Sequence, residues 1–159
     1  MKILDLTDIE ENIKSKNISY LSRVGNIYCS SKISDQKQLE EIKELKIGLV
    51  IDLKEDHETD FKDEWEFKNI GIEYHHFPIS SFDKFDFQTL CDFSTMIENT
   101  EKNILIYCIS SNRVGALMSL YLAFKCGHPK KRSFDIGRKL GMTKDLLQDK
   151  ITTILNKNL

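Results

Sequence analysis

The stretch Ile104-Leu-Ile-Tyr-Cys-Ile-Ser-Ser-Asn-Arg-Val-Gly-Ala-Leu117 decides how the rest of the chain is read. Ile104 to Tyr107 is an apolar run of the kind that forms a buried strand. Cys108 follows at its carboxyl end, then the short loop Ile109, Ser110, Ser111, Asn112, then Arg113. From Val114 to Phe124 the chain is rich in Leu, Ala, Met and aromatic residues and reads as a helix that Arg113 opens. The first amides of a helix have no intrahelical partner and, with the helix dipole, favour an anion. The same field favours a cysteine thiolate, and an arginine adds a planar fork of donors for oxyanions. Cysteine usually just packs. The order strand, cysteine, polar loop, arginine, helix nevertheless gathers thiolate, amides and guanidinium around one point.

Outward from this stretch, strands and helices alternate. Gly25-Asn26 marks a turn inside Tyr20–Ser30, followed by a short strand. Ser34 is the expected N-cap of a helix from about 35 to 45, with Leu39, Ile42 and Leu45 on one face. Leu49–Leu53 is β-branched and apolar, as an interior parallel strand is. A charged loop, Lys54–Asp60, leads to a helix over Phe61–Asn69 with Phe61, Trp65 and Phe67 facing inward, closed by Gly71. Ile72–Ile79 reads as the next strand, and Phe87–Asn99 as the helix that returns to Asn103. Pro129 starts a further helix, and Thr143 is the expected cap of the last one.

This order predicts an α/β domain with a mainly parallel central sheet of four to five strands flanked by helices. Residues 1–159 are expected to form a single domain, with 1–18 a loosely attached lead-in. In open sheets of this kind ligands bind beyond the carboxyl ends of the strands. Lys54–Asp60, Ser80–Asp86 and Cys108–Arg113 are therefore expected to meet.

With 23 basic and 25 acidic side chains the net charge is −2, which gives no broad field for nucleic acid or an acidic membrane. The amino terminus turns acidic at once and carries no secretory pattern, and no apolar run approaches membrane-spanning length. Cys29, Cys91, Cys108 and Cys126 are scattered, with no metal-type or disulfide-scaffold spacing. A reduced, cytoplasmic protein is the expectation, with no metal, no cofactor, no nucleic-acid partner and no membrane association. The oligomeric state is not encoded in any motif.

From about Tyr20 to Leu146 the chain resembles the bacterial phosphatase-like domain of the beta-lactamase hydrolase-like family, which has the fold of cysteine-dependent dual-specificity phosphatases. The resemblance rests on Ile27-Tyr-Cys-Ser30, Ile47-Gly-Leu-Val-Ile-Asp-Leu53, Gly71-Ile-Glu-Tyr-His-His-Phe-Pro78 and, above all, Tyr107-Cys-Ile-Ser-Ser-Asn-Arg-Val-Gly-Ala-Leu117. It implies a phosphatase that hydrolyses phosphomonoesters through a phosphocysteine. Cys108 would be the nucleophile. Arg113 and the amides of Ile109, Ser110, Ser111 and Asn112 would hold the phosphate. A carboxylic acid from the Ser80–Asp86 loop would protonate the leaving oxygen, with Asp83 the first choice and Asp86, which also suits a helix N-cap, the second. The partner would be a phosphorylated substrate or another oxyanion.

Several residues depart from that pattern. Four residues separate Cys108 from Arg113, whereas most tyrosine and dual-specificity phosphatases have one more. A loop of this length also occurs in rhodanese-type sulfurtransferases, so a Cys108 persulfide is the alternative chemistry. Tyr107 stands where histidine is usual, and Val114 where Ser or Thr is common. Ser111 replaces a frequent glycine, which would strain it if the site needs positive φ. A weakly active phosphate-binding module is the third reading. His75 and His76, adjacent on a strand, point to opposite faces and are not expected to share a metal; one is expected in the core. His57, Lys54 and the basic run Lys130–Arg132 are expected to be solvated or ion-paired.

Overall fold

A computed structural model describes residues 4–59 and 62–157. Its centre is a six-stranded sheet in the order β1-β2-β3-β6-β4-β5. β1 (Ile9–Glu10), β2 (Leu21–Val24) and β3 (Ile27–Ser30) pair antiparallel; β3, β6 (Asn103–Tyr107), β4 (Ile47–Asp52) and β5 (Glu73–His76) run parallel. The sheet is thus one or two strands larger than the four to five expected. The extra strands are short and polar, so they carry little apolar signal: β1 has two residues, and Arg23 of β2 is tied to Asp8 and Glu10. Residues 4–18, expected as a loose lead-in, bury Leu4 and Leu6 in the core and add β1 to the sheet.

Side-chain alternation sorts β6 between two cores. Leu105 and Tyr107 face a cluster with Ile42 of α1 (Gln36–Glu44) and Phe67 of α2 (Lys62–Asn69). Ile104, Ile106 and Cys108 face the larger cluster built by α3 (Phe87–Glu98), α4 (Asn112–Phe124), α5 (Lys130–Lys139) and α6 (Asp145–Lys157). This period of two is the geometry of a pleated strand. Each fully buried Leu or Ile contributes about 1.5–3 kcal/mol. α4 is the central helix, buried from Val114 to Leu122. It meets α5 at Gly115 and Gly137: a Cβ on Gly115 would lie 2.3 Å from the Gly137 carbonyl oxygen. Only glycine permits backbones that close.

Some local expectations change. Asp35, not Ser34, caps α1; its carboxylate accepts from the Gln38 amide while the Gln38 side chain accepts from the Asp35 amide. Trp65 is 60% exposed, whereas Phe67 is buried. Residues two apart cannot share a helix face, and the inward face of α2 carries Asp63 and Phe67, four apart. Phe61 lies outside the described residues. Neither His75 nor His76 enters the core: β5 is an edge strand, and both rings reach polar partners at the surface. Among the described residues no helix is long and apolar enough to cross a membrane.

The parallel register decides where function can sit. Tyr107 lies opposite both Ser30 and Asp52, and Asp52 lies opposite His76. The parallel strands therefore end level, and the loops that follow them open at one edge.

Candidate active site

Cys108 leaves β6 at that edge, its amide donating to the Ser30 carbonyl oxygen at 3.5 Å. It is 1% exposed, at the base of the loop rather than on its rim. Beneath it lies a buried polar network. The Asp52 carboxylate accepts from the Tyr74 hydroxyl (2.6 Å), the Tyr107 hydroxyl (3.1 Å) and the Lys54 amide (2.9 Å). Lys54 in turn pairs with Asp63 at 2.6 Å, and its ammonium lies 5.3 Å from the centre of the Tyr107 ring. Burial, then the Asp52 charge, push the Tyr107 phenol pKa far above its ordinary range. Tyr107 thus serves as a neutral donor that ties the end of β6 to β4. Its carbonyl oxygen also accepts from Leu53.

The loop itself is shaped from outside. Ser111 sits at φ 67°, the left-handed conformation foreseen as a strain, and its hydroxyl donates to the Leu140 carbonyl at 2.8 Å. Gly141 lies against it at φ +124°; a Cβ there would be 2.6 Å from the Ser111 Cβ. The Asn112 side-chain oxygen accepts from the amides of Thr143 and Lys144, at 2.8 and 2.9 Å. Its amide nitrogen donates to the Ser110 hydroxyl at 3.1 Å. The α5–α6 connection therefore clamps the cysteine loop, a fourth segment at a site where three were expected. Thr143 accordingly spends its amide on Asn112.

Arg113 opens the cleft side. Its Nη1 and Nη2 donate to the two oxygens of Glu58 at 2.8 and 2.9 Å, and Nη1 also donates to the Ile79 carbonyl at 2.9 Å. The guanidinium has five N–H groups. These bonds occupy three, and Cys108 is a further hydrogen-bond partner of the guanidinium; a side-on Nε/Nη edge is the one that takes two oxygens of a phosphate. Burial acts to lower the Arg113 pKa; Glu58 and Cys108 outweigh it and hold the guanidinium above its usual range. The Glu58 carboxyl is held down to about 2, first by the Arg113 hydrogen bonds. Glu58 was not singled out for this role in the sequence, and no local signal could single it out, since it lies 55 residues from Arg113.

A cleft of about 450 Å³ opens beside this loop, lined by Ser80–Phe82, Ile109, Arg113 and the start of α6. The Ser80–Asp86 loop thus reaches the site, as does the loop after β4. Asp83 does not turn to the cysteine loop: its carboxylate pairs with Lys150 at 3.1 Å, which, with Ser81, holds its pKa below the ordinary value. Asp86 caps α3, accepting from the amide and hydroxyl of Thr89. Glu55, His57 and Glu58 bring ligand-type atoms within 4.8 Å of one another, but Glu58 is committed to Arg113. Cys29, buried on β3, has its thiol pKa pushed up by burial and then by Cys108.

No protein-family model and no curated protein matches the chain. Solved structures do. TpbA of P. aeruginosa superposes with a TM-score of 0.75 at 15% identity, over 94% of this chain and 90% of that one. A putative phosphatase from Neisseria meningitidis gives 0.68 at 21%, over 80% and 92%. The active form of Tk-PTP gives 0.67 at 24%, over 85% and 94%. A cysteine-to-serine form of TpbA has been solved in complex with pTyr. The chain has the fold of the tyrosine and dual-specificity type of phosphatase.

Proposed function

We propose that this chain is a cysteine-dependent phosphatase that hydrolyses phosphomonoesters, of protein or small-molecule type, in the cytoplasm. The observation that carries the reading is the Arg113 guanidinium, held by Glu58 and Ile79 and in hydrogen-bond contact with Cys108. The Cys108 thiolate attacks phosphorus, the P–O bond to the leaving group breaks, and the phosphoryl group passes to sulfur. Arg113 takes two non-bridging oxygens, and the amides of Ile109 to Arg113 donate hydrogen bonds to the oxygens on which charge builds. Water then attacks the phosphocysteine, releasing inorganic phosphate and restoring the thiolate. The resemblance to phosphatase structures, one solved with pTyr, supports this chemistry.

Asp83 is the proposed acid for the leaving oxygen, because Asp86 is committed to the α3 cap. Asp83 must give up Lys150 to act. The Asp83 carboxylate of that pair is exposed and the pair is screened by solvent, so a substrate group can displace it. The test is hydrolysis of an aryl phosphate by wild type and Cys108→Ser. The wild type is expected to turn over and the serine variant to bind without turnover. Equal rates would remove Cys108 from the mechanism.

A further inference from the structure

The two walls of the cleft differ in charge. On one side stand Glu55, His57 and Glu58. Glu58 is neutralised by Arg113, and Glu55 lies 3.1 Å from His57. On the other stand Lys144 and Lys150, with Leu146 and Leu147 between them. Lys144 is exposed, and among the described residues no carboxylate lies within ion-pair distance of its ammonium. Its backbone is fixed, since its amide donates to Asn112 of the cysteine loop. Lys150 is partly buried, with a side chain 34% exposed, and its only carboxylate partner among the described residues is the exposed Asp83. Leu146 is 72% exposed and Ile109 40%, and both line this cleft.

Each of these features is weak alone, but their placement is not arbitrary. Asn112 sits inside the cysteine loop and fixes the turn that carries Lys144, so the backbone from which this cation extends keeps a set position relative to the phosphate cradle. Lys150 lies about a turn and a half along α6 from that point and lines the same cleft. An anion bound at Arg113 leaves both lysines facing whatever the substrate carries next.

We infer that the start of α6 is a second anion subsite of the same cleft. Its ligand is a second acidic group, carboxylate or phosphate, on the substrate whose phosphoester sits at Arg113. Lys144 and Lys150 bind that group, and the exposed Ile109 and Leu146 contact the apolar part between the two charges. When the second group takes Lys150, Asp83 is released from its ion pair. The substrates favoured are therefore phosphomonoesters with an acidic neighbour. This inference rests on the phosphatase reading above.

The test compares three substrates: p-nitrophenyl phosphate, a phenyl bisphosphate, and phosphotyrosyl peptides flanked by Glu or by Lys. Wild type is expected to favour the Glu-flanked over the Lys-flanked peptide by about fivefold or more in kcat/KM, with the preference shrinking as salt rises. Lys144→Glu is expected to reverse that preference, and Lys144→Arg to retain it. Melting curves check that each variant is folded. Preference for the bisphosphate alone assigns the subsite to small substrates, and preference for the acidic peptide assigns it to proteins. Hydrolysis with no charge preference, or a preference unmoved by Lys144→Glu, overturns the inference and leaves the phosphatase reading standing. Absence of both hydrolysis and binding of every substrate overturns the two together.

Discussion

Glu58 holds Arg113 by two parallel hydrogen bonds, 2.8 and 2.9 Å long, across 55 residues of sequence. Without it the guanidinium keeps the Ile79 carbonyl and Cys108 as partners among the described residues. Glu58→Gln retains the shape and loses the charge and half the fork. Its kcat/KM on an aryl phosphate is expected to fall by about tenfold or more, the equivalent of one charge-assisted hydrogen bond. A variant with wild-type kinetics would mean that Arg113 needs no such support.

The same pair sets a pH window. The Glu58 pKa is depressed from 4.5 to about 2. A depressed acid contributes stability in full above its unfolded value and loses it as pH falls through the folded one. The stability gap between wild type and Glu58→Gln is therefore expected to stay level from neutral pH to about 5 and to close below 4.5 toward 2. Denaturant titrations at each pH measure it. A gap that closes near pH 6 would contradict the assignment.

Gly141 is expected to be intolerant of a side chain. Alanine there places a Cβ 2.6 Å from the Ser111 side chain and keeps φ at +124°. The cost in stability is about 2 kcal/mol or more, by strain at an unfavourable backbone conformation. Because the displaced partner is Ser111, activity is expected to fall further than stability does. Normal activity in a folded Gly141→Ala protein would show that the loop does not depend on this clamp.

Tyr107→Phe removes one of three donors to the buried Asp52 carboxylate. The expected cost is about 1–3 kcal/mol in chemical denaturation, the usual penalty for a lost buried hydrogen bond to a charged group. Indifference to the change would mean that Tyr107 is a packing residue only.

Asp83→Asn is expected to slow hydrolysis of an alkyl phosphate by about a hundredfold and of p-nitrophenyl phosphate much less, because a good leaving group needs little protonation. Equal effects on both substrates would assign Asp83 to binding through Lys150 instead of proton transfer.

The cysteine loop was legible in the sequence because its signals are local. A buried strand, a cysteine, a polar loop and an apolar helix follow one another, and Ser111 indeed takes the positive φ that its position suggested. What the sequence left open is long-range. The capture of Arg113 by Glu58 and of Asn112 by Thr143 and Lys144 joins segments with no periodic or spacing signature. Trp65 shows a different failure. An aromatic residue in a helix suggests burial, yet the helix can turn only one face inward, and Phe67 with Asp63 takes it. β1 was missed because a two-residue strand at a sheet edge carries little apolar signal, and β2 because its four residues, Leu-Ser-Arg-Val, are half polar.

The central claim is that Cys108 takes a phosphoryl group from its substrate. Rapid acid quench of the enzyme during turnover of an aryl phosphate, followed by mass spectrometry of the Cys108 peptide, tests it most directly. A mass gain of one phosphoryl group on Cys108 is expected in the wild type and none in Cys108→Ser. Turnover with no phosphoryl group on Cys108, or with one on another residue, would contradict it.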